Sequence, residues 1–303
     1  MRIVSLVPHA TELLFALGLG DEVIAVTHEC DHPAGALALP RITRDVLPAH
    51  LSAVEIDAAV RAHTDKGEAI YELDEQLLAE LEPDLIVTQA LCPVCAVSYD
   101  DVSALAAELP SRPRVIALDP HTIGESLADA RTIAQATGRR DEAITLVASS
   151  SRRIDAVRLA VRGAAPLRVL ALEWLDPVYV AGHWTPQMIE WAGGVDVLGF
   201  PGENSERHDW DVLRASAPDV VILMPCGYDA PRAHEEGLAH AAKLASLGAR
   251  RVVAVDAAAY FSRPGPRLID GLELLGHILH PDRVPAPEAE VLELDPAGPV
   301  ASG

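Results

Sequence analysis

Four cysteines, Cys30, Cys92, Cys95 and Cys226, carry the most reactive side chains of this 303-residue chain. Cys92-Pro93-Val94-Cys95 is a C-x-x-C pair, whose two sulfurs can point at one centre and so suit zinc, an iron–sulfur cluster or a dithiol. Each cysteine lies just past an apolar run of strand character. Cys30 and Cys226 could therefore complete a four-thiolate set with the pair, leaving His28 and His183 as spare nitrogens. The competing reading is that Cys30 and Cys226 pack as buried thiols while the pair lines a cleft without metal. Spacing alone leaves both open.

A second group is aromatic. Trp174, Trp184, Tyr228, Tyr260 and Phe261 lie in loops, where they suit a large flat ligand at a cleft mouth or, equally, cap a core. Trp191 falls inside a helical pattern and reads as core. Arg263 and Arg267 flank a Pro-Gly-Pro turn and can bind a carboxylate, amide or phosphate, or cap the last helix against Asp270. Pro8, His9, Glu173 and His183 also follow apolar strands, on the side of a parallel sheet where ligands bind. Asp84 and Asp219 precede strands and read as turn residues. No G-x-S-x-G elbow, phosphate loop or H-E-x-x-H motif is present, so turnover is not expected. Leu17-Gly18-Leu19-Gly20 ends a helix instead of opening one, which removes it as a dinucleotide fingerprint.

The elements that must position these residues occur twice. Residues 2–26 and 168–199 each read as strand, turn, helix, glycine stop and second strand. EPDLIV at 82–87 answers APDVVI at 217–222, and RPRVIALD at 112–119 answers ARRVVAVD at 249–256. Alternating apolar strands and helices predict an α/β fold with mostly parallel sheets covered on both faces. Strands are expected at 3–7, 22–26, 85–89 and 115–118, then at 168–172, 195–198, 219–224 and 251–255. Thr11 is the expected N-cap of a helix over 12–17. Residues 122–163 contain no proline and predict a helix broken near Gly138, followed by a second long helix. The resulting plan is an N-terminal lobe (1–120), a helical backbone (121–164), a C-terminal lobe (165–282) and a Pro-rich tail (283–303), read as a surface strap or disordered.

Composition narrows the partners. The formal net charge of −21, from 24 Lys and Arg against 45 Asp and Glu, repels phosphate backbones and acidic lipid. No apolar run approaches the roughly 20 residues of a membrane helix. The opening residues read as a first strand and helix, not as an export signal, which predicts a cytoplasmic protein, or a periplasmic or extracellular one if a native leader precedes them.

Ser5-Leu6-Val7-Pro8 followed by Thr11 to Gly18, the strand Pro83-Asp84-Leu85-Ile86, the proline-free helix and the turn Trp191-Ala192-Gly193-Gly194 resemble the helical-backbone substrate-binding proteins of cobalamin, haem and iron-siderophore importers. The cobalamin-binding branch is the nearest in appearance. That resemblance covers roughly residues 1–280 and implies two Rossmann-like lobes joined by a long rigid helix, with a cobalamin-like corrinoid or related metal chelate between them. On this reading the strand-end residues bind it: Trp174, Trp184, Tyr228 and Phe261 pack on the ligand, Arg263 and His183 offer polar contacts, and Pro8, His9, Glu173 and Tyr260 complete the expected binding residues. The cysteine elements depart from the transport proteins' pattern and suggest a cytoplasmic offshoot, in which docking to an ABC permease is not expected. The alternative is a metalloprotein or redox protein with zinc or an iron–sulfur centre on the four thiolates.

Overall fold

The computed structural model describes residues 1–48, 51–66, 69–90 and 99–295, which fall into two compact units. The first comprises Met1–Pro120 with Gly124–Ser149, and the second His121–Ile123 with residues from Ser150 onward.

The first unit is built on β1 (Ile3–Ser5), β2 (Val23–Ala25), β5 (Leu85–Gln89) and β6 (Arg114–Leu118), after an outlying hairpin of β3 (Thr43–Asp45) and β4 (Tyr71–Leu73). Its sheet runs β2-β1-β5-β6 and is parallel throughout. All five residues of β5 are buried, as a central parallel strand covered on both faces requires. Helices α1 (Pro8–Ala16), α2 (Ala53–Thr64), α3 (Glu75–Leu81) and α4 (Tyr99–Glu108) connect these strands. Asp74 caps α3 by accepting from the Leu77 amide, and Ser52 with Glu55 forms a reciprocal capping box on α2. The S-x-x-E signal of that box stands in the sequence, yet α2 was not among the expected helices.

The second unit contains β7 (Leu167–Leu175), β8 (Val178–Val180), β9 (Gly194–Asp196), β10 (Glu206–Arg207), β11 (Val220–Leu223), β12 (Arg251–Val255) and β13 (Val291–Leu294). Here β9, β7, β11 and β12 pair in parallel, while β8, β10 and β13 add antiparallel partners. The strand orders β2-β1-β5-β6 and β9-β7-β11-β12 are the same topology, which is the internal repeat seen in the sequence. Even the fastenings recur. Asp84 accepts from the Arg2 amide while the Arg2 side chain reaches the Leu81 carbonyl, and Asp219 accepts from the Arg168 amide while Arg168 reaches the Ala217 carbonyl.

Helices α5 (Ile123–Thr137) and α6 (Arg140–Ala160) are separated by Gly138, whose φ of 75° ends the first as a left-handed C-terminal residue. The second unit also carries α7 (Thr185–Trp191), α8 (Trp210–Ala215), α9 (Ala230–Ala239), α10 (Ala241–Ala245), α11 (Ala257–Tyr260) and α12 (Leu268–Leu279). The C-terminal part of α6 is bound to α12 by Arg153, which reaches both Asp270 and Glu273, and by Val157 against Gly276.

Two expectations are corrected. Helix α1 begins at Pro8, whose fixed φ and missing N–H suit a first turn, so Thr11 lies inside the helix and is not its cap. Part of the Pro-rich tail, at β13, pairs with β12 as an edge strand and is neither loose strap nor disordered. Its Leu294 is buried in the core with Leu223 and Ala254.

Candidate ligand-binding site

In each parallel set the chain reverses direction across the sheet beside its first strand, between β1 and β5 and between β7 and β11. Loops diverge at such a switch point, and the space past the carboxyl ends of the two strands is where α/β sheets take ligands. Most of the singled-out residues stand at these two places.

In the first unit they are turned into the protein. Pro8 and His9 form the buried first turn of α1. Cys30 is only 1% exposed, and its sulfur lies 3.1 Å from the Thr11 hydroxyl and 3.3 Å from that of Thr27. Thr11 in turn donates to Ser5 at 2.8 Å, and Arg41 closes the turn by donating to the Thr27 and Cys30 carbonyls. Cys30 is thus a small buried side chain in a hydroxyl-lined niche of the core. His28 is held by Thr43 at 2.8 Å, and Glu29 accepts from the Tyr71 hydroxyl at 3.0 Å. Cys92 and Cys95 lie outside the described residues. Among the described residues, no group of three or more His, Cys, Asp or Glu is placed to hold a metal ion.

The second unit presents a different surface. β7 continues past its parallel pairing into a hairpin with β8, carrying Glu173 and Trp174 to the edge. Beside them the Met224-Pro225-Cys226-Gly227 turn is anchored by the Cys226 amide donating to the Glu173 carbonyl, which leaves Cys226 exposed. Trp174 is partly buried edge-on to Tyr228, and the Arg232 guanidinium sits 3.8 Å over the Tyr228 ring. Burial holds the Tyr228 phenol above its ordinary range. Trp184 donates its indole N–H to the Phe261 carbonyl at 2.7 Å, and Trp184, Tyr228 and Phe261 are each 5% exposed or less. Those three rings pack within the protein, so the expectation that they lie on a ligand gives way to a core role. Tyr260 and Arg263 are half-buried in and after α11, and the Arg263 carbonyl accepts from the Gly265 amide.

His183 shares a positive φ with three other described non-glycine residues, Glu82, Arg112 and Ala217, but is the one of the four that stands among the singled-out residues. It has a φ of 52°, a left-handed backbone that costs a residue with a Cβ about 1–2 kcal/mol. Strain of this kind persists only where surrounding structure imposes it, and it gathers at functional sites. Its amide donates to the Glu203 carbonyl at 2.6 Å and its carbonyl accepts from the Gly202 amide at 2.8 Å. Its ring lies 5.6 Å from that of His121 and 5.5 Å from that of Trp184. Residues 121–123 join this unit because Thr122 approaches Gly202 and the Ile123 amide donates to Gln187 on α7. Neither His121 nor the strap at 202–205 carried a sequence signal, since their contacts are with residues distant in the chain.

The chain matches the model of a family described as periplasmic binding protein over residues 3–251. Among curated relatives, the vitamin B12-binding protein of Vibrio cholerae is 54% identical over 41 residues, and that of Vibrio vulnificus 48% over 42. Each match spans 14% of this chain and 15% of the relative's length. The solved periplasmic vitamin B12 binding protein BtuF of Vibrio cholerae superposes with a TM-score of 0.66 at 22% identity, over 92% of this chain and 96% of that one. The apo periplasmic haem-binding protein RhuT of Roseiflexus sp. RS-1 superposes with a TM-score of 0.63 at 25% identity, over 92% and 98% of the two chains. These likenesses lend no support to the expected cytoplasmic location. Among the described residues no helix is long and apolar enough to cross a membrane. With four-fifths of its length matched by the family model and its two units built on the repeated parallel topology, the chain belongs to the periplasmic binding protein family.

Proposed function

We propose that this protein is a substrate-binding protein for a cobalamin-like corrinoid, acting without turnover and delivering its ligand to an ABC permease. The observation that carries the ligand class is the 54% identity with the vitamin B12-binding protein of Vibrio cholerae over 41 residues. The second unit supplies a fitting surface: the His183 imidazole beside that of His121, with Trp174 and the exposed Cys226 at the neighbouring strand ends. Flat π faces and a few polar groups are what a large amphipathic macrocycle requires. Haem is the second reading, favoured by the 25% identity with RhuT across nearly the whole chain.

Titration of the purified protein with cyanocobalamin, cobinamide and haem, followed by calorimetry and visible spectra, tests the proposal. The expected result is corrinoid binding with Kd of about 1 μM or tighter, equivalent to about −8 kcal/mol. Haem binding with no corrinoid binding would transfer the site to the second reading. Absence of binding to all three would refute the chelate class.

A further inference from the structure

We infer that Ser205 and Glu173 are positioning residues for ligand binding, acting through His183. The inference rests on the reading above that His183 meets the ligand.

The 202–205 strap is fitted to the turn that carries His183. Gly182 touches it so closely that a Cβ there would come within 2.5 Å of the Glu203 carbonyl oxygen, the Asn204 carbonyl carbon and the Ser205 amide nitrogen. The Gly182 amide donates to the Ser205 hydroxyl oxygen at 3.2 Å, and that hydroxyl donates to the Glu173 carboxylate. One residue on, the paired backbone bonds of His183 with Gly202 and Glu203 hold it in its left-handed conformation. On the far side Trp184 is fastened to Phe261. The imidazole therefore projects from a turn held through the backbone of Gly182 and His183 and through the side chain of Trp184, beside His121. Ser205 is the link between this strap and the end of β7, because its single hydroxyl serves both Gly182 and Glu173.

Without that link the turn can relax to ordinary backbone angles, and only the fraction still holding His183 correctly would bind. Apparent affinity falls in proportion to that fraction. Ser205→Ala should weaken corrinoid binding by about 10-fold and His183→Ala by more, while the double variant should be no weaker than His183→Ala alone, because the two residues act in series. Glu173→Gln, which keeps an acceptor for the hydroxyl, should lose less than Ser205→Ala, and Ser205→Thr should restore most of the affinity.

The experiment is this double-mutant cycle on the full chain, with cyanocobalamin as the probe and thermal unfolding recorded for each variant. Non-additivity with retained folding supports the inference. A Ser205→Ala loss that persists undiminished in the His183→Ala background would overturn it, as would unchanged affinity in Ser205→Ala. Unaltered binding in His183→Ala would overturn it too, but would place the fault in the role given to His183. If the wild-type protein bound no corrinoid, the proposed ligand class itself would be at fault. Should Ser205→Ala fail to fold, Glu173→Gln and Glu173→Ala take its place in the same cycle.

Discussion

The carboxyl ends of β1 and β7 are the same place in two copies of one topology, yet they treat reactive side chains in opposite ways. Past β1, Thr11 turns inward and, with Thr27, encloses the thiol of Cys30 from the adjoining turn after β2, which an arginine closes. Past β7 the histidine is held in a strained backbone conformation, and Cys226 on the neighbouring turn is exposed. Position at a strand end therefore marks where function can be, whereas the partners of each side chain decide whether it is available. A residue whose neighbours satisfy it is structure, and one whose neighbours hold it against its own preference is a candidate for function.

The most disruptive way to test that contrast is Gly182→Ala. A Cβ at 2.5 Å from three backbone atoms leaves nothing flexible to yield, so the strap must separate from the turn. We expect a loss of about 3 kcal/mol or more, read as a large drop in melting temperature, together with loss of ligand binding. A normal melting temperature would show that the strap is loosely held.

The two copies of the Arg-Asp fastening at the amino ends provide a second test. Asp84→Ala and Asp219→Ala each strip an acceptor from a backbone amide and should cost about 1–2 kcal/mol in urea unfolding. The two losses should agree closely if the repeat is energetic as well as topological, and a large disparity would break the equivalence.

Among the described residues, each unit also holds a carboxyl whose burial resists ionisation. Asp129 on α5 is pushed up to about 7 by burial, with the charges of Glu125 and Asp119 adding to it. Asp196 at the end of β9 is pushed up to about 6 by burial, while the Gly199 and Leu198 amides pull it back down. In both cases the folded protein holds a proton that the unfolded chain has released. The stability this confers is fully present below about pH 4 and is lost as pH rises through about 6 for Asp196 and about 7 for Asp129. Asp129→Asn should therefore stabilise the protein by about 1 kcal/mol at pH 8, after allowance for solvent screening of a half-buried group, and very little at pH 4. Asp196→Asn should gain less, since an amide side chain cannot serve two backbone donors as well as a carboxylate does. Melting temperatures of both variants across pH 4–8 check the order.

The smallest effects concern the thiols and the surface. Under native conditions Cys226 should react quickly with an aromatic disulfide reagent and Cys30 hardly at all, so Cys226→Ser should remove a fast phase that Cys30→Ser leaves intact. Fast labelling of Cys30 would reopen its assignment. Arg44→Ala, which breaks an ion pair with Glu72 that is mostly in solvent, should change stability by less than about 0.5 kcal/mol.

Much of this was visible in the chain itself. The strands at 85–89 and 251–255 follow from short runs rich in Val and Ile between turn residues, and the break at Gly138 follows from glycine's tolerance of positive φ. Thr11 misled because a threonine before an apolar run is a cap only if the helix has not already begun at Pro8. The β13 strand was hidden by flanking prolines, which stop mattering at a sheet edge where one side of the strand needs no partner. Trp184, Tyr228 and Phe261 were correctly located in loops, but a loop can turn its rings inward, and no pattern in the sequence reports that.

The sequence by itself determined that the chain is α/β, that its topology occurs twice, and that reactive side chains collect at strand ends, because these depend on local periodicity and on which residues tolerate a turn. Only the tertiary structure decided that Cys30 is enclosed and His183 strained. Those properties depend on residues distant in the chain, Thr11 with Cys30 and Gly202 to Ser205 with the turn at 182–184, whose contacts exist only once the strands have paired.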